Sequence, residues 1–339
     1  MKSARLTAEA WSGPNNAVAV TVALVELSVI IVNFNTAHLL ADSINALERS
    51  AKRISLQIIV VDNASRDNSV AVLSSMTDRL EVIFNETNIG FGRANNQALP
   101  RVRGEYVLLL NTDAFVAPET IERTLEFMRD NPGCGVVGVR LVGRDGSLQP
   151  SCRYFPTVTN TCISAAGLQS LFSGRDGVDD MAWDHASTRS CDWVPGCYYL
   201  VRKNVIDQVG LFDPRYFLYF EEVDHCRAVK RAGWEVMFFP GTAVVHLGGE
   251  SAKSEGELTA TGRQISELQI ESEMLYFYKH HGQLGVLATV ASTVVGVVVA
   301  CVKRLVRGAR AADPSLHLKH LRKTFSIMRL TRFGRVPTR

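Results

Sequence analysis

The chain has 339 residues, 46% hydrophobic and 21% charged, with a formal net charge of +3. That length calls for one large or two modest domains. The composition excludes a disordered chain, a collagen-like chain, a polytopic membrane protein and, at seven cysteines, a small disulfide scaffold. The near-neutral total hides an asymmetry: from Lys303 onward 11 Lys or Arg face one acid, Asp313, which leaves residues 1–302 at −7.

Residues 1–26 read as a poorly ordered leader. The apolar run 17–25 resembles a signal-peptide core, but Gly13-Pro14-Asn15-Asn16 separates it from Lys2 and Arg5 and no A-x-A site follows. From 27 to 139, β-rich apolar runs alternate with helical periods. The run 27–32 (LSVIIV) predicts a strand buried on both faces. Asn35 and Thr36 offer caps for a helix carrying Leu40, Ile44 and Leu47. A second strand at 57–61 ends at Asp62, and Ser69 caps a short helix. A strand at 80–84, a helix around 93–99, a strand at 106–110 and a helix over 119–129 follow. This alternation predicts an α/β fold with a mostly parallel central sheet covered on both faces.

Beyond 139 the rhythm changes. Arg144-Asp145-Gly146-Ser147 is a hairpin signal, 151–192 is irregular, and 193–247 is dense in aromatic and acidic residues. The seven cysteines show no C-x-x-C spacing, so reduced, buried thiols are expected rather than a zinc site.

Ligands of open parallel sheets bind beyond the strand C-termini. Three polar groups stand there: Asn33 with Asn35, Asp62 with Asn63, and Asn111-Thr112-Asp113. Asp62 suits a nucleobase or ribose, and Asp113 a hard divalent cation bridging phosphate oxygens. Asn88-Ile89-Gly90-Phe91-Gly92-Arg93 opens a helix and presents Arg93 to a pyrophosphate. Asn95 stands where a dinucleotide fingerprint needs its third glycine, and no P-loop Lys-Ser/Thr is present. Glu221, Glu222 and Asp224 cluster after the aromatic run 216–220, an arrangement that raises a carboxyl pKa and suits a general base. His246 ends an apolar run and is a candidate metal ligand.

The ordered series VIIVNFN, IVVDNASRD, NIGFGRANN, LLLNTD, WVPGCYYLVRK, VGLFDPRYFLYFEEVDHCRAVKRAGW and VVHLGG, over about 27–250, resembles the family 2 glycosyltransferases, in their rhamnosyltransferase-like branch. The resemblance implies a GT-A fold, a nucleotide-diphosphate sugar donor, a divalent cation (Mg2+ or Mn2+) and inverting transfer. It implies Asn33, Asn35, Asp62, Asn63, Arg93, Asn111 and Asp113 as donor contacts, Asp113 and His246 as metal ligands, and Trp193 and Gly196 on the acceptor side. Asn111-Thr112-Asp113 stands in place of the family's D-x-D. Glu222 matches the usual base, with Glu221 and Asp224 as alternatives. The sugar implied is rhamnose from dTDP-rhamnose, and the acceptor a lipid-linked or polysaccharide hydroxyl.

The expected organisation is a catalytic domain over 27–280, divided near 139 into nucleotide-sugar and acceptor halves, then an apolar helix and basic tail over 281–339. The 19 uncharged residues 284–302 are long enough to span a bilayer. A single span would put the basic tail outside, against the positive-inside rule, so a membrane-associating helix in the plane of the cytoplasmic leaflet is preferred, with the tail on anionic headgroups. Nucleic acid is not expected, because the tail lacks interleaved aromatics beyond Phe325 and Phe333. A sugar nucleotidyltransferase should carry a basic glycine-rich loop where this chain has Asn33-Phe34-Asn35-Thr36, and the intact acids oppose a silent binding module.

Overall fold

The computed structural model of the protein describes residues 25–168, 178–179, 183–248, 267–307 and 314–339. The expected leader, except its last two residues, lies outside them. In chain order the strands are β1 (Leu27–Asn33), β2 (Leu56–Asp62), β3 (Glu81–Phe84), β4 (Tyr106–Leu110), β5 (Ala114–Val116), β6 (Cys134–Val142), β7 (Leu148–Gln149), β8 (Arg189–Ser190), β9 (Tyr198–Arg202) and β10 (Glu235–His246). The helices are α1 (Ala37–Ser50), α2 (Ser69–Ser74), α3 (Phe91–Ala98), α4 (Thr120–Asp130), α5 (Val158–Ala165), α6 (Lys203–Val209), α7 (Glu221–Arg231), α8 (Glu267–Arg307) and α9 (Ser315–Leu330).

One sheet runs β3-β2-β1-β4-β9-β6-β10-β5. Its first four strands are parallel, as the alternating pattern requires. Beyond β4 the sheet is mixed, because β9 enters antiparallel between β4 and β6 while β6 and β10 run parallel. The continuous apolar runs of β1, β2 and β4 follow from burial on both faces. Val29, Ile31, Val60 and Leu108 pack with Leu40, Ile44 and Leu47 of α1 and Leu125 of α4. The alternate residues Ile30, Ile59, Val61 and Leu109 face α3, α7 and α8 through Ala94, Val223 and Met274. The Arg144–Ser147 signal turns β6 into β7, with Gly146 at φ 79°.

Helix α1 is capped differently from the sequence expectation. Thr36 stands at its N-cap without a capping bond; its hydroxyl donates to Asn33 Oδ1 instead. The Ala37 amide donates to Asp67 Oδ2, thirty residues downstream. That contact holds the β1–α1 and β2–α2 loops together over the strand C-termini.

Helix α8 bends at Gly282 (φ 64°, ψ −162°), a conformation that favours glycine. Its first arm buries Ile270, Met274, Leu275, Tyr276 and Phe277 against the sheet. Its second arm packs Val286 and Val290 inward and leaves Leu284, Val298, Val302 and Leu305 exposed. By length and composition alone, α8 is apolar enough to cross a membrane. The C-terminal basic region is no loose tail: α9 buries Thr324, Ile327 and Met328, and Lys323 approaches Glu267 on the first arm of α8. The final residues return to the body, where Thr338 bonds Glu271.

Candidate active site

The site lies where β1, β2, β4 and β10 end. Asn33 and Asp62 are register partners at the ends of β1 and β2, and Asn33 Nδ2 donates to Asp62 Oδ1 at 2.8 Å. The other Asp62 oxygen accepts from the Ser65 amide. Asn35 adopts φ 54° and receives the Arg66 amide on its Oδ1. Asn63 accepts from Ile89 N–H and donates to Asn88 Oδ1, so it fastens the loop that leads into α3. In that loop Gly90 stands at φ 89°, and a Cβ there would lie 2.5 Å from the Phe217 carbonyl oxygen. These side chains therefore fasten the loops over the strand C-termini, and several spend their hydrogen-bonding capacity on it. Arg93 is committed differently: its guanidinium donates to the carbonyls of Pro214 and Arg339.

On the other side of the β4 end, the Asn111 amide donates to the Cys197 carbonyl, tying the Asn-Thr-Asp turn to β9. Thr112 and Thr36 share a hydroxyl hydrogen bond at 2.9 Å. The Asp113 carboxylate is nearly buried, and His246 Nε2 lies 3.6 Å from its Oδ1. The two meet because Ala114, the next residue, pairs with His246 across β5 and β10. Gln149 on β7 fixes the imidazole. Its amide nitrogen donates to the His246 carbonyl, so its oxygen accepts from His246 Nδ1–H at 2.9 Å. In the neutral ring Nε2 then carries a lone pair directed toward Asp113.

The acid cluster opens α7. Tyr219 and Phe220 immediately before it have φ 70° and 69°. Two successive aromatic residues in the left-handed region store strain of the kind found at functional sites. Glu221 is 3% exposed. Burial, and then the charge of Glu222, pushes its carboxyl well above the usual range. Glu222 is also pushed up by burial, against opposition from Arg153 and the Gly196 backbone. Among the described residues, Oε2 of each glutamate is enclosed without a hydrogen-bond partner. Asp224 differs. His280 Nε2 and Lys279 Nζ each reach it at 2.6 Å, and although burial pushes its carboxyl up, these partners outweigh it and hold the pKa below normal. Asp224 thus anchors α8 through these two bonds.

Asp224→Ala should accordingly cost about 3–5 kcal/mol, because it strands the buried His280. Since the folded pKa of Asp224 is depressed, its stabilisation is present above the unfolded value and is lost as pH falls through the folded value. Denaturant unfolding at neutral pH should show the full deficit, and the gap between wild type and variant should close in acid.

The structure brings Asp113, His246 and Glu222 to one place, with Cys197 lying between: its thiol is pushed up by burial and then by the charge of Asp113, with Glu222 adding to it. Gly196 adjoins Glu222, where a Cβ would contact the glutamate's own Cβ at 3.9 Å. Trp193, expected on the acceptor side, is 5% exposed and donates Nε1–H to the Tyr154 carbonyl. It acts through Arg153, whose guanidinium stacks 4.1 Å above its ring and whose charge reaches Glu222. Sequence reasoning missed Gln149 and Arg153. A hairpin signal precedes the first and the irregular stretch contains the second, and neither pattern announces a site.

Residues 28–166 match the model of glycosyl transferase family 2. The chain is 26% identical over 239 residues to the N-acetylglucosaminyl-diphospho-decaprenol L-rhamnosyltransferase of Mycobacterium tuberculosis, covering 65% of this chain and 75% of that one. It is 24% identical over 210 residues to a low-salt glycan biosynthesis hexosyltransferase of Haloferax volcanii, covering 61% and 62%. Among solved structures it resembles the mannosyltransferase PcManGT of Pyrobaculum calidifontis in complex with GDP-Man and Mn2+ (TM-score 0.53, 12% identity, 91% and 87% covered). It also resembles GalNAc-T7 with UDP, GalNAc and Mn2+ (TM-score 0.56, 12% identity, 92% of this chain but 58% of that one). The structural likenesses bear on fold alone. The motifs, the sheet and the relatives agree: the chain is a glycosyltransferase of the GT-A fold, and its residues 28–166 are similar to glycosyl transferase family 2.

Proposed function

We propose that the enzyme transfers a sugar, rhamnose from dTDP-rhamnose, to a hydroxyl of a lipid-linked or polysaccharide acceptor with inversion, at the cytoplasmic membrane face. The observation that carries the reading is the enclosed, unpartnered Oε2 of Glu222 beside the Asp113–His246 pair. A carboxylate raised in pKa, with one oxygen left without a hydrogen-bond partner, is a competent proton acceptor for a hydroxyl. The mycobacterial relative supports the sugar and the acceptor class.

In this mechanism Asn33, Asn35, Asp62 and Asn63 bound the nucleotide pocket, and Glu222 Oε2 takes the acceptor proton as that oxygen attacks the anomeric carbon. Gly196 and Arg153 hold Glu222 in position, and burial disfavours the charge of its neighbour Glu221. Asn111 and Arg93 complete the donor side, where Arg93 would exchange a carbonyl partner for a phosphate.

The donor set fits a divalent cation. Asp113 Oδ1 and the His246 Nε2 lone pair lie 3.6 Å apart, within reach of one ion at bond lengths of roughly 2.0–2.2 Å. Among the described residues no third His, Cys, Asp or Glu joins them, which suits an ion completed by phosphate oxygens and water. When bound, Mg2+ or Mn2+ would neutralise charge on the departing diphosphate. Gln149→Leu should weaken Mn2+ binding about 10–100-fold by releasing the His246 ring, as titration of the nucleotide-free protein would measure.

Membrane association rests on the exposed apolar face of the second arm of α8, Leu284, Val298, Val302 and Leu305, with the basic residues Lys303 and Arg304 beside it.

Nucleoside diphosphate release from a panel of nucleotide sugars, with and without Mn2+, tests the function. Metal-dependent release from dTDP-rhamnose in the presence of a sugar-diphospho-lipid is expected. Turnover of a different donor alone would overturn the sugar assignment, and metal-independent turnover the role of Asp113 and His246.

A further inference from the structure

A cavity of about 460 Å³, separate from the acids, is lined by Tyr154, Phe155, Asp192, Arg227, Lys230, Arg231 and His281, among others. Its size is that of a small-ligand site. Arg227, Lys230 and Arg231 stand at spacings of three and four on α7, so they share one face of that helix. Against their three charges the lining offers one acid, Asp192, which pairs with Lys230 at 3.2 Å. Lys230 also donates to the Cys191 carbonyl, and the Arg227 guanidinium donates to Tyr276 Oη at 3.0 Å. Arg231 is exposed and pairs with no acid among the described residues. Two cationic side chains are thus held in place and a third is available, a pattern suited to a multivalent anion.

Position narrows the ligand. The basic face belongs to the helix that begins with Glu221 and Glu222. At 1.5 Å per residue, Arg227 to Arg231 lie roughly 8–14 Å along the axis from Glu222, the span of one or two sugar units. On the opposite wall His281 immediately precedes the Gly282 elbow, and Leu284, 79% exposed, starts the apolar arm three residues on. Beyond Phe155 the chain enters α5, which packs against that arm through Cys162 Sγ and Ser292 Oγ at 2.7 Å. The cavity therefore lies further along the helix that opens with Glu222, with an exposed apolar surface on its other side.

We infer that this cavity is the subsite for the diphosphate of a polyprenyl-diphosphate-linked acceptor, with Arg227, Lys230 and Arg231 on the phosphates, the sugar directed toward Glu222 and the prenyl chain leaving along α5 and the apolar arm of α8. The inference rests on the reading that the acceptor is lipid-linked. An anionic phospholipid headgroup offers related chemistry, and the experiment separates the two.

The test measures binding of geranyl diphosphate to the full-length protein by calorimetry, with nucleoside diphosphate saturating the donor pocket, in wild type, Arg231→Glu and Arg227→Gln. Partition onto phosphatidylglycerol vesicles is measured in parallel. The expected result is saturable binding that weakens tenfold or more in both variants, with vesicle partition and nucleotide affinity changed less than twofold. Geranyl diphosphate affinity within twofold of wild type in Arg231→Glu, whose exposed side chain makes misfolding no explanation, would overturn the proposal. So would a loss confined to vesicles, which would make the cavity a headgroup site. Transfer assays distinguish the underlying reading: equal turnover of phosphate-free and diphosphate-linked acceptors would sink the lipid-linked acceptor without altering the binding result.

Discussion

Glu222→Gln is expected to lower kcat by about 10²–10⁴-fold, the usual worth of a general base, while nucleotide-sugar affinity stays near wild type. The amide keeps the volume of the side chain and its place beside Gly196 but accepts no proton. Single-turnover transfer and equilibrium donor binding, measured on the same preparation, separate the two quantities. Wild-type kcat should also rise with pH through an apparent pKa above that of an ordinary glutamate, because burial opposes ionisation of Glu222 and the base acts when deprotonated. Glu221 and Glu222 titrate as an interacting pair, so the limb belongs to the pair rather than to one residue. Glu221→Gln should leave turnover largely intact, since Glu221 is the more deeply buried and already disfavours its charge. A kcat lost in Glu221→Gln and retained in Glu222→Gln would exchange their roles.

Asp113→Ala is expected to cost more than about 100-fold in Mn2+ affinity, beyond the roughly 10–100-fold effect of losing a supporting residue. The substitution removes the only carboxylate facing His246 Nε2 among the described ion pairs. It should leave the fold intact, because the Asp113 main-chain carbonyl still receives the Leu247 amide. Titration of nucleoside diphosphate with and without Mn2+ would read the consequence. Wild type should bind more tightly with the metal, and the variant should bind equally in both conditions. A variant that retains the metal-dependent gain would remove Asp113 from the account.

The sequence makes the parallel half of the sheet legible because a strand buried on both faces must be apolar throughout, and β1, β2 and β4 are. The antiparallel entry of β9 leaves no local trace, since Tyr198 and Leu110 pair across 88 residues of chain. The same distinction divides the site. Asp113, Glu222 and His246 stand at element ends, where chemistry is expected. Gln149 and Arg153 work through partners nearly a hundred and about seventy residues away, His246 and Glu222. The role of Asp224 in anchoring α8 is not legible in the motif, because its partners Lys279 and His280 lie on a helix the motif does not contain. The basic tail misleads for a related reason: Thr324, Ile327, Met328 and Thr331 form a buried stripe beneath a surface that composition reads only as charge.

The most direct test of the central claim, a single displacement driven by Glu222, is the anomeric configuration of the transferred sugar, read by NMR on product made from dTDP-rhamnose and a sugar-diphospho-lipid. The account predicts a configuration opposite to that of the donor. Retention of the donor configuration would contradict it.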